Sequence, residues 1–142
     1  MTEAQTEVKD RILEILKNND AIMIASTGGE YSPWILGAYF ASKDIDIYVL
    51  LETHGKTFAN LKENTKVAIS ISKNDAMQDF LQAQAEVEIL PDTEEPEVRK
   101  LIVDKMPWFQ TYTPVSPVRL RVKKYFVTSL QKGWFPAKVL EN

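Results

Sequence analysis

The residues best suited to hold an anion stand together in one short segment, Gly55-Lys56-Thr57, just behind an alternating apolar run that ends at Leu51. Apolar residues continue beyond this segment at helical spacing, which predicts a strand, a glycine loop and a helix start in that order. The first amides of a helix lack internal acceptors and carry the positive end of the helix dipole, so they attract anions. A lysine adds a point charge and a threonine adds a hydroxyl donor, which suits a phosphate monoester. The local pattern by itself favours a simpler interpretation, a helix cap beside a solvated lysine.

Composition narrows the classes of function to consider. The 142 residues suit one domain spanning residues 1–142. The net charge of −3 argues against a main role in binding nucleic acid. The absence of cysteine excludes thiol catalysis and zinc–thiolate sites, and the single histidine, His54, leaves no histidine cluster for a metal. No apolar run approaches the roughly 20 residues of a membrane span, and the N-terminus lacks a signal-peptide pattern, so we expect a cytoplasmic protein without membrane contact.

Hydrophobic periodicity predicts the elements that position this segment. Apolar residues at helical spacing mark the helices, and alternation with a period of two marks the strands. The predicted helices lie around Val8–Leu16, over Lys56–Asn64 and around Val98–Ile102, and the predicted strands are Ala21–Thr27, Trp34–Ala41, Ile45–Leu51, Val67–Ser72, Phe80–Leu90 and Val118–Val127. An aromatic and proline-rich connection is predicted over Trp108–Pro117. Short turns between consecutive strands imply antiparallel pairing, so we predict an α+β fold with a closed or nearly closed barrel of about six strands and flanking helices.

The ordered set of segments also resembles a known superfamily. The resemblance is carried by Ala21–Gly29 behind the first helix, Pro33–Phe40, Gly55–Ile69 and Phe80–Val87. In this order they resemble the flavin-binding split barrels that include pyridoxamine 5′-phosphate oxidase and the small FMN-binding proteins, over roughly residues 5 to 131. The resemblance implies an antiparallel split β-barrel, FMN as the cofactor, and a homodimer with the flavin at its interface.

Carried over to this sequence, the resemblance implies which residues touch FMN. Lys56 and Thr57 would hold the FMN phosphate. Gly37, Ala38 and Tyr39 would lie along the isoalloxazine edge, where small side chains let the ring approach the strand and backbone groups serve its polar atoms. Packing within the barrel is the competing explanation for the small residues at Gly37 and Ala38.

Four further residues are implied as cofactor contacts. Leu50 and Leu51 would pass beneath the ring or the ribityl chain, and ordinary core leucines are the alternative. Gln82 would hydrogen-bond a ring carbonyl or nitrogen, or else face solvent from its strand. Trp134, in a tail beyond the last predicted strand, would cover the exposed ring face within one chain or across the dimer, or else lie in a dimer contact without touching ligand. Asn60 is assigned to the scaffold of the loop.

Two departures from the superfamily pattern weigh against vitamin B6 oxidation. Pyridoxamine-phosphate oxidases carry a phosphate-binding arginine on the second strand, where this chain has Gly37-Ala38-Tyr39. Their basic substrate-binding residues near the C-terminus have no match here. The chain is therefore closer to the short FMN-binding or nitroimidazole-reductase-like branch.

The expected function is that of a homodimeric, FMN-dependent oxidoreductase with a small-molecule substrate or electron donor, in which the protein positions and tunes the flavin. No side chain stands out as an acid–base catalyst, so no catalytic residue is assigned. One alternative is a flavin carrier or sensor without turnover. Another is a barrel that binds haem, a deazaflavin, or only its twin chain.

Overall fold

The computed structural model describes all residues from 1 to 142 and contains three α-helices and eight strands. No helix in it is both long and apolar enough to cross a membrane. The helices are α1 Glu3–Asn18, α2 Lys56–Leu61 and α3 Glu95–Lys105, the last preceded by a 3₁₀ turn over Asp92–Glu94. The strands are β1 Ala21–Ser26, β2 Trp34–Tyr39, β3 Ala41–Lys43, β4 Asp46–Glu52, β5 Lys66–Ile71, β6 Phe80–Ile89, β7 Val115–Ser129 and β8 Trp134–Glu141.

All strand pairs are antiparallel, and the strands lie in the order β2-β1-β5-β6-β7-β4-β3, with β8 paired to β7. The two end strands of this path, β2 and β3, are separated in the chain by Phe40 alone. The sheet must therefore curl until its two ends meet, which makes it a split barrel. The predicted α+β class and split barrel are confirmed, with eight strands instead of about six.

The two additional strands have separate causes. The predicted strand Trp34–Ala41 divides at Phe40, whose side chain is fully buried, and the chain then turns into the hairpin of β3 and β4. The segment that begins with Trp134 was predicted as a tail, but it forms β8 along β7. Only Trp134 and Leu140 of β8 are buried, so this strand has no alternating pattern to detect.

The start of β7 also differs from the prediction. Its first residues, Val115 to Pro117, were assigned to the aromatic connection, but they pair with the end of β4. That pairing brings the connection against Leu50 and Leu51, whose cross-strand partners are Pro117 and Ser116.

The alternating strands and α1 enclose the principal core, which the apolar stripe of α1 covers with Val8, Ile12, Ile15 and Leu16. A smaller cluster beneath α3 joins Val98, Ile102 and Met106 to Ala41, with Leu50 and Phe109 packed against it. This cluster sets the path of the chain after α3, because it anchors Phe109 beside β4.

Lys105 fastens the end of α3 to the rest of the barrel. Its Nζ donates a hydrogen bond to the Leu16 carbonyl (3.0 Å) and another to the Asn19 carbonyl, and it lies 3.8 Å from the centroid of the Phe40 ring. Burial lowers the pKa of Lys105 below its ordinary value, while the charge of Asp20 acts in the opposite direction. One side chain thus joins α3, the end of α1 and the junction between β2 and β3.

Candidate functional site

A cleft of about 340 Å³ opens between the free edge of β2, the end of β4, the start of α2 and the segment 109–115. This volume lies within the range of small-molecule sites, roughly 300–1,000 Å³. All but two of the residues predicted to touch a cofactor line it, although they come from three separate segments: Gly37, Ala38, Tyr39, Leu50, Leu51, Lys56 and Thr57.

Thr57 provides the clearest chemical signal in the cleft. The residue is 3% exposed, and its Oγ1 is buried without any hydrogen-bond partner. Gly55 precedes the helix and offers no side-chain cap to its first turn. A buried hydroxyl without a partner is costly and rare in native proteins. Its position at a cleft therefore points to a ligand oxygen that completes the site.

Asn60 positions α2 against the loop between β1 and β2. Its side chain is fully buried, its Oδ1 accepts a hydrogen bond from the Gly29 amide (3.1 Å), and its Nδ2 donates to Ser26 Oγ (3.1 Å). The loop approaches so closely that a Cβ at Gly29 would lie 2.5 Å from Asn60 Oδ1. The neighbouring Gly28 has a φ of +108°, which favours glycine. The assignment of Asn60 to the scaffold is confirmed.

The strand edge that was predicted to face the flavin ring is open. β2 has β1 as its only strand neighbour, so its other edge faces the cleft. A Cβ at Gly37 would meet Met23 Sδ at 3.3 Å, so packing against Met23 already accounts for the missing side chain. The Tyr39 ring packs edge-on against Trp108, with centroids 4.9 Å apart, and against Phe109 at 6.3 Å.

The segment 109–115 forms a wall of the cleft that sequence reasoning did not assign. Hydrogen bonds hold it in place, among them those from the Phe109 amide to the Met106 carbonyl (2.9 Å), from Arg99 Nη2 to Thr111 Oγ1 (3.0 Å), and from the Thr53 amide to the Pro114 carbonyl (3.1 Å). The aromatic residues concentrated in and beside this segment were the sequence feature that could have indicated a wall of a binding site. Gly55 of the predicted anion segment also lines the cleft, and the lining residues that were not predicted are Trp34, Leu36, Glu52, Phe109, Gln110, Thr111, Tyr112, Thr113 and Val115.

Gln82 and Trp134 lie away from the cleft. Gln82 is exposed on the outer face of the sheet, where its cross-strand neighbours are Ser70 and Phe126. Trp134 does not lie in a tail as predicted: it opens β8, is 8% exposed and belongs to the principal core, and its contact with a flavin stays a prediction. Its aromatic surface is already used in packing.

No family model matches this sequence, and no curated protein matches it either. Solved structures do resemble it. A proposed pyridoxamine 5′-phosphate oxidase from Listeria innocua aligns at 16% identity with a TM-score of 0.70, over 84% of this chain and 97% of that one. A proposed 5-nitroimidazole antibiotic resistance protein from Bacteroides thetaiotaomicron aligns at 19% identity with a TM-score of 0.69, over 82% of this chain and 81% of the other.

A third similar structure is HutZ, the haem storage protein from Vibrio cholerae. It aligns at 18% identity with a TM-score of 0.69, over 87% of this chain and 97% of HutZ. At such identities the likeness establishes the fold. The chain thus shares the split barrel of the pyridoxamine 5′-phosphate oxidase-like proteins, as its sequence predicted.

Proposed function

We propose that this chain binds FMN in the cleft, with the phosphate at Thr57 and Lys56, and acts as an FMN-dependent oxidoreductase on a small-molecule substrate. The observation that carries the proposal is the buried Thr57 hydroxyl, which has no partner within the protein. A phosphate oxygen is an acceptor of the kind that this donor lacks. The shared split barrel supports the same proposal, because the superfamily that the sequence resembles includes small FMN-binding proteins.

The residues around Thr57 fit the remaining parts of such a ligand. Lys56 would neutralise phosphate charge, and the open edge of β2 would offer backbone groups to a planar polar ring. Leu50 and Phe109 would exclude water from the ring faces. When bound, the flavin supplies the hydride or electron chemistry, so the chain itself needs only to bind and orient it.

We also propose that a second copy of this chain covers the outer face of the sheet. Cross-strand partners place an uncharged row across β2, β1, β5, β6, β7 and β8: Gly37, Met23, Ser70, Gln82, Phe126 and Val139. Met23 and Val139 are 42% and 45% exposed, and nearby Ile35 is 60% exposed. Contiguous exposed apolar surface is typical of a protein interface. Gln82 would then lie within the dimer interface.

A charge placed on this face tests the dimer. Ile35→Glu should convert a dimer to a monomer in sedimentation velocity, because the interface would bury an unpaired carboxylate. Met77→Glu is the matched control, since Met77 is 63% exposed and lies near α1 beside Arg11 and Glu14. A wild-type protein that sediments as a monomer, or an unchanged dimer in Ile35→Glu, contradicts the proposal.

Haem is the second candidate ligand, favoured by the likeness to HutZ. Haem iron is held in proteins by histidine, cysteine, methionine or tyrosine. No histidine, cysteine or methionine lines the cleft, and the single histidine, His54, is exposed outside it. Only Tyr39 and Tyr112 among the cleft residues are of a haem-ligating type. The cleft therefore fits a flavin better than haem.

The direct test is the absorbance spectrum and mass of the small molecule that is released when the purified protein is denatured. We expect the flavin bands and the mass of FMN. A Soret band would identify haem, and a deazaflavin mass would identify that ligand; either result overturns the assignment of FMN.

Steady reduction by NADH or NADPH with transfer to an acceptor separates an oxidoreductase from a flavin carrier or sensor.

The phosphate assignment has its own test. Lys56→Ala should weaken FMN binding about tenfold, which corresponds to roughly 1.4 kcal/mol, and should leave riboflavin binding unchanged. Lys62→Ala removes the same charge at the other end of α2 and outside the cleft, so its FMN affinity should match the wild type. If both variants lost FMN affinity equally, the loss would reflect a general effect of charge, and the assignment of the phosphate to Lys56 would be wrong.

A further inference from the structure

The Lys56 ammonium lies between two aromatic rings. Its Nζ is 5.0 Å from the centroid of Trp34 and 5.4 Å from that of Tyr31. Lys56 is the only lysine that lies over two rings. It forms no salt bridge, whereas Lys124 and Lys132, which also lie over rings, each have a glutamate partner. The contacts of this ammonium are therefore aromatic.

The two rings are held in place by the scaffold that positions α2. Tyr31 lies in the loop between β1 and β2, where the Ser32 amide donates to the Gly29 carbonyl (3.1 Å). Gly29 is in turn bound by Asn60 of α2. Trp34 opens β2 and pairs with Ser26 of β1. Loop, strand and helix thus form one connected unit around Lys56.

A lysine side chain is flexible, and fixing it at a binding site costs conformational entropy when ligand binds. Aromatic faces attract a cation through the ring quadrupole, so they restrict the ammonium before any ligand arrives. Lys56 itself is exposed and lines the cleft, so the two rings do not enclose it. Trp34 lines the cleft itself, whereas Tyr31 does not.

We propose that Tyr31 and Trp34 are positioning residues, which hold the Lys56 ammonium at the cleft and so set the preference of the cleft for a phosphorylated over an unphosphorylated ligand. This inference rests on the proposed phosphate site. Tyr31 is the better residue for a test, because it touches Lys56 without lining the cleft. An effect of Tyr31 on ligand selectivity must then act through the lysine.

The experiment compares the affinities for FMN and riboflavin, because the two ligands differ only in the phosphate. Tyr31→Leu should lower the ratio of FMN to riboflavin affinity about two- to fivefold, and Tyr31→Phe, which keeps the ring, should retain the wild-type ratio. In a Lys56→Ala background, Tyr31→Leu should have no further effect on the ratio. An unchanged ratio in Tyr31→Leu, or an equal loss for both ligands, would overturn the proposal.

A second measurement does not depend on any ligand. Ring currents should shift the Lys56 ε-methylene resonance upfield relative to that of Lys17, which lies over no aromatic ring, and Tyr31→Leu should reduce the shift while Tyr31→Phe retains it. A missing shift overturns the positioning role whatever the protein binds. A retained shift in a protein that discriminates against FMN would keep the positioning role and reject the phosphate site, so the two failures are distinguishable.

Discussion

Thr57→Val should stabilise the ligand-free protein and weaken its binding of FMN. Valine has nearly the same shape as threonine, and it removes a buried hydroxyl that has no partner, so the free energy of unfolding should rise by about 1 kcal/mol. With FMN present, the same change removes a charge-assisted hydrogen bond to phosphate. We expect a loss of affinity of about 10- to 100-fold, from roughly 1.5–3 kcal/mol. Urea unfolding of protein freed of ligand and a fluorescence titration with FMN measure the two effects.

Thr57→Ser is the matched control, because it keeps the hydroxyl and should retain most of the FMN affinity. The opposite signs of the two effects make the test specific, since a variant that merely damages the fold loses both stability and affinity. If Thr57→Val bound FMN as tightly as the wild type, the hydroxyl would not contact the phosphate. A loss of stability in ligand-free Thr57→Val would show that the hydroxyl has a partner in solution.

The grouping of the cleft residues could be predicted because they come from consecutive parts of the chain. β2, β4 and α2 follow one another, with only the short β3 between β2 and β4, and their ends meet where the sheet curls round on itself. The resemblance implied that Gly37, Leu50 and Lys56 contact one ligand, and the structure places all three in the cleft. The burial of Thr57 Oγ1 could not be predicted from the sequence pattern, because it depends on how α2 packs against the barrel.

The elements that were missed lack a local signal. β3 is three residues long, and in β8 only two of the eight residues are buried, so neither has a usable period. The segment 109–115 has no regular pattern before β7 begins. Its path depends on tertiary contacts, such as the hydrogen bond from Arg99 to Thr111, that are distant from the motifs.

Gln82 and Trp134 show a different limit of sequence reasoning. Alternation correctly places Gln82 on the exposed side of β6, but the side of a strand does not reveal which cleft or interface it faces. Trp134 follows the last predicted strand, and its position predicted either a cover for the ring face or a dimer contact. In the structure Trp134 opens β8, which pairs with β7, and its side chain packs into the principal core.

Asn60 connects fold stability to the cleft, and its removal should affect both. Asn60→Ala leaves the Ser26 hydroxyl and the Gly29 amide without their partner at a site where Asn60 and Ser26 are fully buried. We expect the free energy of unfolding to fall by about 2–4 kcal/mol, a large part of the stability of a small domain. Chemical unfolding at equilibrium measures this loss.

Asn64→Ala is the matched control, because both side-chain hydrogen bonds of Asn64 are exposed: its Nδ2 donates to Thr27 Oγ1 of the same loop (3.0 Å), and its Oδ1 accepts from the Lys66 amide (3.1 Å). Its loss should stay below about 1 kcal/mol, since solvent replaces the lost partner. Gly29→Ala approaches the same contact from the other side, and its methyl group must displace Asn60 Oδ1. If Asn60→Ala and Asn64→Ala lowered the free energy of unfolding by equally small amounts, the buried hydrogen bonds of Asn60 would not hold α2 in place. If Asn60→Ala and Gly29→Ala both weakened FMN binding in the folded protein, the link would also set the position of Thr57.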